Sequence, residues 1–138
     1  MQDQIARRIV DAVPTASGMV LVRDRCGRDD VVDAVVAACT ARGLVPVVER
    51  VSNQALRDVI GSCPPDELAR WDIERIDVAR QVGALIVLGG WRADLDGLPP
   101  ASVAAWTAAV GRVERVLEAR MVPTVVAAVP TSYVAERL

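Results

Sequence analysis

The chain has 138 residues, 52% of them apolar, a formal net charge of −2 and no histidine. All 16 basic residues are arginine, so the imidazoles and amines on which most neutral-pH catalysis relies are both missing. The length predicts one domain, the even spread of charge leaves no basic stripe for nucleic acid, and no apolar run reaches the ~20 residues of a membrane span.

In chain order, an amphipathic helix is predicted over Gln2 to Val13, with Ile5, Ile9, Ala12 and Val13 on its apolar stripe. The opening residues Met1 to Gln4 lack the basic start and apolar run of a signal peptide, so a cytoplasmic chain is expected. A first strand follows at Met19 to Arg23. Arg28 to Arg42 then places Val32, Val35, Val36 and Cys39 on one helical face, with Gly43 as the stop. Leu44 to Val51 is the second strand, with Pro46 near its start. Ser52 can cap a helix over Asn53 to Ile60, and a new start at Pro65-Asp66-Glu67 leads through Trp71 to Val82. Ala84 to Leu88 is the third strand. Ser102 to Arg120, opened by Pro99-Pro100, carries Val103, Trp106, Val110, Val113 and Leu117 on one face. Val122 to Val129 reads as the fourth strand, and a last helix is predicted from near Thr131.

The four strands are continuously apolar rather than alternating, as parallel strands covered on both faces are. Alternation with helices predicts an α/β, three-layer, doubly wound domain with a mainly parallel sheet of order 2-1-3-4. In such a sheet, ligands collect beyond the carboxyl ends of the strands where the winding reverses. That crevice is lined here by Asp24, Arg25, Cys26 and Gly27 after the first strand, and by Gly89, Gly90, Trp91 and Arg92 after the third. Neither the glycine pattern of a dinucleotide fold nor that of a phosphate loop is present. The pairs Asp29/Asp30 and Asp94/Asp96 have the chemistry to hold a hard cation, although Asp29 and Asp30 equally suit a helix N-terminus. Trp91, in a glycine-rich loop, is the candidate exposed contact. Cys26, Cys39 and Cys63 lack the paired spacing of a zinc site and read as reduced structural thiols, with Cys39 buried and Cys26 the most accessible.

Four stretches, taken in order, resemble the N-terminal domain of the thermophilic metallo-aminopeptidase family, the aminopeptidase T type. They are Ser17 to Asp24 (SGMVLVRD), Val31 to Val51 (VVDAVVAACTARGLVPVVERV), Pro65 to Leu88 (PDELARWDIERIDVARQVGALIVL) and Arg120 to Ala135 (RMVPTVVAAVPTSYVA). Gly83-Ala84 stands where the family often has an acidic residue before its third strand. The resemblance implies a hydrolase that removes N-terminal amino acids with water activated by zinc, cobalt or manganese. It places the metal ligands in a catalytic domain beyond Leu138 and carries none of them onto these residues. For this domain it implies shaping of active-site access and subunit contacts, with a homo-oligomer expected for the intact enzyme. The chain alone is expected to be inactive and without a cofactor of its own. The alternative is a freestanding flavodoxin-like module that binds a small molecule or a protein through the Asp24 to Gly27 and Gly89 to Asp94 loops.

Overall fold

In a computed structural model, which describes residues 2–14, 18–89 and 93–129, four parallel strands form one sheet. The elements are α1 (Gln2–Asp11), β1 (Gly18–Asp24), α2 (Asp29–Ala41), β2 (Leu44–Arg50), α3 (Asn53–Ser62), α4 (Pro65–Leu68), α5 (Asp72–Gln81), β3 (Ala84–Leu88), α6 (Pro100–Ala119) and β4 (Thr124–Ala127). Their order across the sheet is β2-β1-β3-β4, so the winding reverses between β1 and β3, as the strand and helix pattern predicts.

The sheet is covered on both faces because its central strands have no polar face to offer. All five residues of β3 are buried, and burying each large aliphatic among them contributes roughly 1.5–3 kcal/mol. On one face, α1 and α2 pack Val10, Val13, Val32, Val35 and Cys39 against Val20, Val22 and Ile86. On the other, α5 and α6 pack Ala79, Val82, Val113 and Leu117 against Leu21, Leu85 and Val87. A smaller cluster, centred on Leu56, Ile60 and Leu68, joins α3 and α4 to the start of α6.

Arginine has a structural use that explains part of its monopoly. Three guanidiniums donate to backbone carbonyls at or near the carboxyl ends of neighbouring helices, a job for which their fixed donors suit them. Arg42 reaches the Val10 carbonyl in the last turn of α1 and the Val13 carbonyl just beyond the helix. Arg120 donates to Ala79 O at 2.6 Å and Val82 O at 2.8 Å at the end of α5. Arg112 donates to Ala69 O at 2.6 Å just after α4.

Four expectations are corrected in detail. The apolar stripe of α1 is Ala6, Ile9, Val10 and Val13, whereas Ile5 is exposed. The segment from Pro65 to Val82 is two helices, broken over 69–71 where Arg112 bonds the Ala69 carbonyl and then closes on Asp72. Along α6, Val110 is half-buried and the small residue Ala109 takes the core position. The fourth strand is confined to Thr124–Ala127: Met121, at φ +53, ends α6, and the Pro123 carbonyl leads into the ladder by accepting from the Leu85 N–H at 2.9 Å. The helix expected from Thr131 lies outside the described residues.

Candidate functional site

The carboxyl ends of β1 and β3 meet at the reversal point, and Asp24 organises the turn there. Its side chain is turned back into the protein, 1% exposed, rather than out toward the crevice. Oδ1 accepts from the Gly27 backbone N–H at 2.9 Å, the Cys26 N–H at 3.1 Å and the Cys26 thiol at 3.2 Å. Oδ2 accepts from Arg50 Nη1 at 3.1 Å, and the same nitrogen reaches Asp29 Oδ1 at 2.8 Å. One carboxylate therefore fixes the β1–α2 loop and ties it to the end of β2. Its partners account for all the acceptor work a buried carboxylate needs.

Cys26 is not the accessible thiol that the sequence suggests. It is 3% exposed, and burial, aided by the neighbouring Asp24 carboxylate, pushes its pKa up to about 11 against the pull of the Arg28 backbone N–H. Cys39 is also buried and raised by burial, and Cys63 is the half-exposed one. The loop position favours a thiolate only if the sulfur faces the helix terminus and water. Here the sulfur is shut off from water and donates to Asp24, and burial outweighs the Arg28 N–H at the helix terminus.

The remaining crevice candidates sit as follows. Arg25 is half-buried, and its backbone N–H donates to the Leu88 carbonyl at 2.9 Å, extending the β1–β3 ladder. Gly89 is buried at φ +96, with the Cys26 and Arg25 backbone pressed against the space a Cβ would fill. Gly90, Trp91 and Arg92 lie outside the described residues. Of the acidic pairs, Asp29 and Asp30 open α2 and take Arg50 and Arg28 respectively. Asp94 and Asp96 belong to a loop held to α3 through Arg57 and Asn53, with Asp96 N–H donating to Asp94 Oδ1 at 3.0 Å. Among the described residues, no three His, Cys, Asp or Glu side chains are grouped to hold a metal ion. The described residues thus assemble no ligand set for a divalent metal of the kind the aminopeptidase resemblance places outside them.

A second polar cluster escapes sequence inspection. Arg23, only 5% exposed, lies under the α5/α6 layer, with Nη2 2.7 Å from Glu114 and Nε 3.6 Å from Glu49. Arg75 lies nearby, lowered by burial, its guanidinium 3.9 Å from the centre of the Trp71 ring. Trp71 in turn meets Trp106 edge-on at 6.4 Å. Glu49 is raised by burial, which outweighs the attraction of Arg23 and Arg75. The signal available in the sequence is a pair of opposite charges closing each of two apolar runs, Arg23-Asp24 and Glu49-Arg50, with Arg23 opposite Glu49 across the ladder.

No helix among the described residues is long and apolar enough to cross a membrane. No protein-family model matches the chain, and no curated protein does. Among solved structures, the fold is similar to that of wild-type AmpT from Thermus thermophilus, with a TM-score of 0.62 at 18% identity. The likeness covers 94% of this chain and 35% of that one, so the chain spans about a third of the length of the protein it resembles.

Proposed function

We propose that these residues form the non-catalytic N-terminal α/β domain of a metal-dependent aminopeptidase. The supporting observation is the extent of the likeness: nearly all of this chain superposes on a minor part of AmpT, a chain of the aminopeptidase T type. The chemistry of the residues agrees with a supporting part. There is no histidine, the carboxylate at the reversal point is consumed by its own loop, and no ligand group is assembled among the described residues. In this reading the metal and its ligands belong to a catalytic domain beyond Leu138, and this domain shapes access to the active site and contributes subunit contacts in the cytoplasm.

The experiment compares release of an aminoacyl chromophore by the 138-residue chain with release by the natural polypeptide that carries it. Each is assayed with zinc, cobalt and manganese. The reading expects metal-dependent turnover from the natural polypeptide and none from the 138 residues. Turnover by the 138 residues, or none by a longer natural polypeptide, overturns it. Saturable small-molecule binding by the isolated chain, lost on substitution of Arg25, supports the freestanding binding module instead.

A further inference from the structure

Arg23 has two carboxylate neighbours and a close contact with only one of them. It follows Leu21 by two positions on β1 and so points into the α5/α6 layer, as Glu49 does two positions after Val47 on β2. Nη2 lies 2.7 Å from Glu114 on α6, the distance of a charge-assisted hydrogen bond. Nε lies 3.6 Å from Glu49, beyond hydrogen-bond reach, and finds no hydrogen-bond partner among the described residues. That nitrogen is closed off from bulk water, so its missing bond is a cost that a modest turn of the guanidinium toward Glu49 removes.

The two partners belong to different parts of the fold. Arg23 and Glu49 are opposite each other in the β1–β2 ladder, so the sheet fixes their backbones relative to one another. Glu114 rides on α6, which Arg112 and Arg120 tie to the α4–α5 segment. A bond from Arg23 to Glu114 therefore joins the helical layer to the sheet, whereas one to Glu49 stays within the sheet. The other cations acting on Glu49 are Arg75 on α5 and, more weakly, Arg25 after β1. Arg75 is engaged elsewhere, lying over the Trp71 ring and donating to the Trp71 carbonyl at 2.7 Å. Burial favours the neutral form of Glu49 against the pull of Arg23 and Arg75. A neutral carboxyl competes poorly for a guanidinium and an ionised one competes well.

We propose that Arg23 is a proton-controlled latch with two seats. It holds α6 to the sheet through Glu114 while Glu49 carries its proton, and turns to Glu49, loosening α6, when that proton leaves for water. No bond is made or broken beyond the O–H of Glu49, and the charge that the carboxylate gains is met by the guanidinium that moves to it. By linkage, what loosens α6 also favours ionisation of Glu49, and what tightens α6 favours its protonation. The inference concerns the chain itself and does not rest on the aminopeptidase reading.

Nuclear magnetic resonance of the 138-residue chain from pH 4.5 to 8 tests it, following the Glu49 carboxyl carbon and the Arg23 Nε–H together. The Nε–H signal should move downfield, as a gained hydrogen bond requires, with the same midpoint as Glu49, and should stay still in Glu49→Gln. Amide exchange supplies the second reading, with α6 around Glu114 measured relative to β3 so that global opening cancels. Glu114→Gln removes one seat. At the acid end it should speed α6 exchange by roughly fivefold over the wild type, the upper end for a partly exposed ion pair, and the difference should shrink as Glu49 ionises. Glu49→Gln should keep α6 at its acid-end protection up to pH 8. Both substitutions are near-isosteric, and circular dichroism verifies the folds. An Arg23 signal that holds its position, or moves equally in Glu49→Gln, overturns the proposal. So does an effect of Glu114→Gln on α6 that is the same at every pH, which is the mark of a merely structural ion pair.

Discussion

Gly89, at the end of β3, lies directly against the backbone of Cys26 beyond β1: a Cβ at position 89 would stand 3.1 Å from the Cys26 nitrogen. The carboxyl ends of the two central strands are therefore in contact at the point where the winding reverses. Gly89→Ala must both adopt φ +96 and push backbone aside, and it should destabilise by roughly 2–4 kcal/mol. Gly43→Ala, at φ +82 with nothing within 4 Å, should cost only about 1–2 kcal/mol. Urea unfolding of the pair separates contact from conformation, and equal losses would show that the contact is unimportant.

Asp24 should behave as a structural residue. Asp24→Ala leaves the Cys26 and Gly27 N–H groups without their acceptor and should cost about 2–4 kcal/mol by denaturant unfolding. A loss under about 0.5 kcal/mol, the level of an ordinary surface change, would contradict this assignment.

The thiols should label in the order set by burial. In the native state at neutral pH, Cys63 should react first, and Cys26 and Cys39 only as the chain opens. Asp24→Ala should release Cys26 selectively. Peptide mapping after timed alkylation reads both outcomes, and early labelling of Cys26 in the wild type would contradict them.

Two carboxyls should give stability opposite dependences on pH. Glu49 is raised above 4.5 in the folded chain, so the folded state holds its proton more tightly and stability falls as pH rises through that window. Asp72 is lowered below 3.8, first by its hydrogen bonds from Arg112 at 2.7 and 2.9 Å. Its contribution is present above 3.8 and lost as pH falls through the lowered value. Glu49→Gln should flatten the first slope and Asp72→Asn the second, in thermal unfolding followed from pH 3 to 7.

Much of this architecture is legible in the sequence because the central strands are apolar on both faces. A run such as Ala84 to Leu88 has no polar alternation, and its observed limits match its apolar limits. Ser52 likewise caps α3 through the Ala55 N–H at 3.4 Å, a local bond between near neighbours. What periodicity misses depends on distant partners. At the break before Asp72 the carboxylate meets Arg112, forty positions along the chain. Met121 closes α6 in a left-handed conformation usually left to glycine, with Val122 N–H donating to Leu117 O at 3.2 Å. The crevice was legible only as a place. Which way Asp24 and Cys26 point is decided by Arg50 and by the loop's own amides, which no spacing rule contains.

The central claim, that these residues are one domain of a larger metallo-aminopeptidase, is tested most directly by the mass of the natural polypeptide that carries them. Immunocapture from native cells followed by intact-mass measurement gives that value. Since the chain covers 35% of AmpT, the account predicts a polypeptide about three times the 14.7 kDa of these residues, with aminopeptidase activity when loaded with metal. A natural product of 14.7 kDa would contradict it.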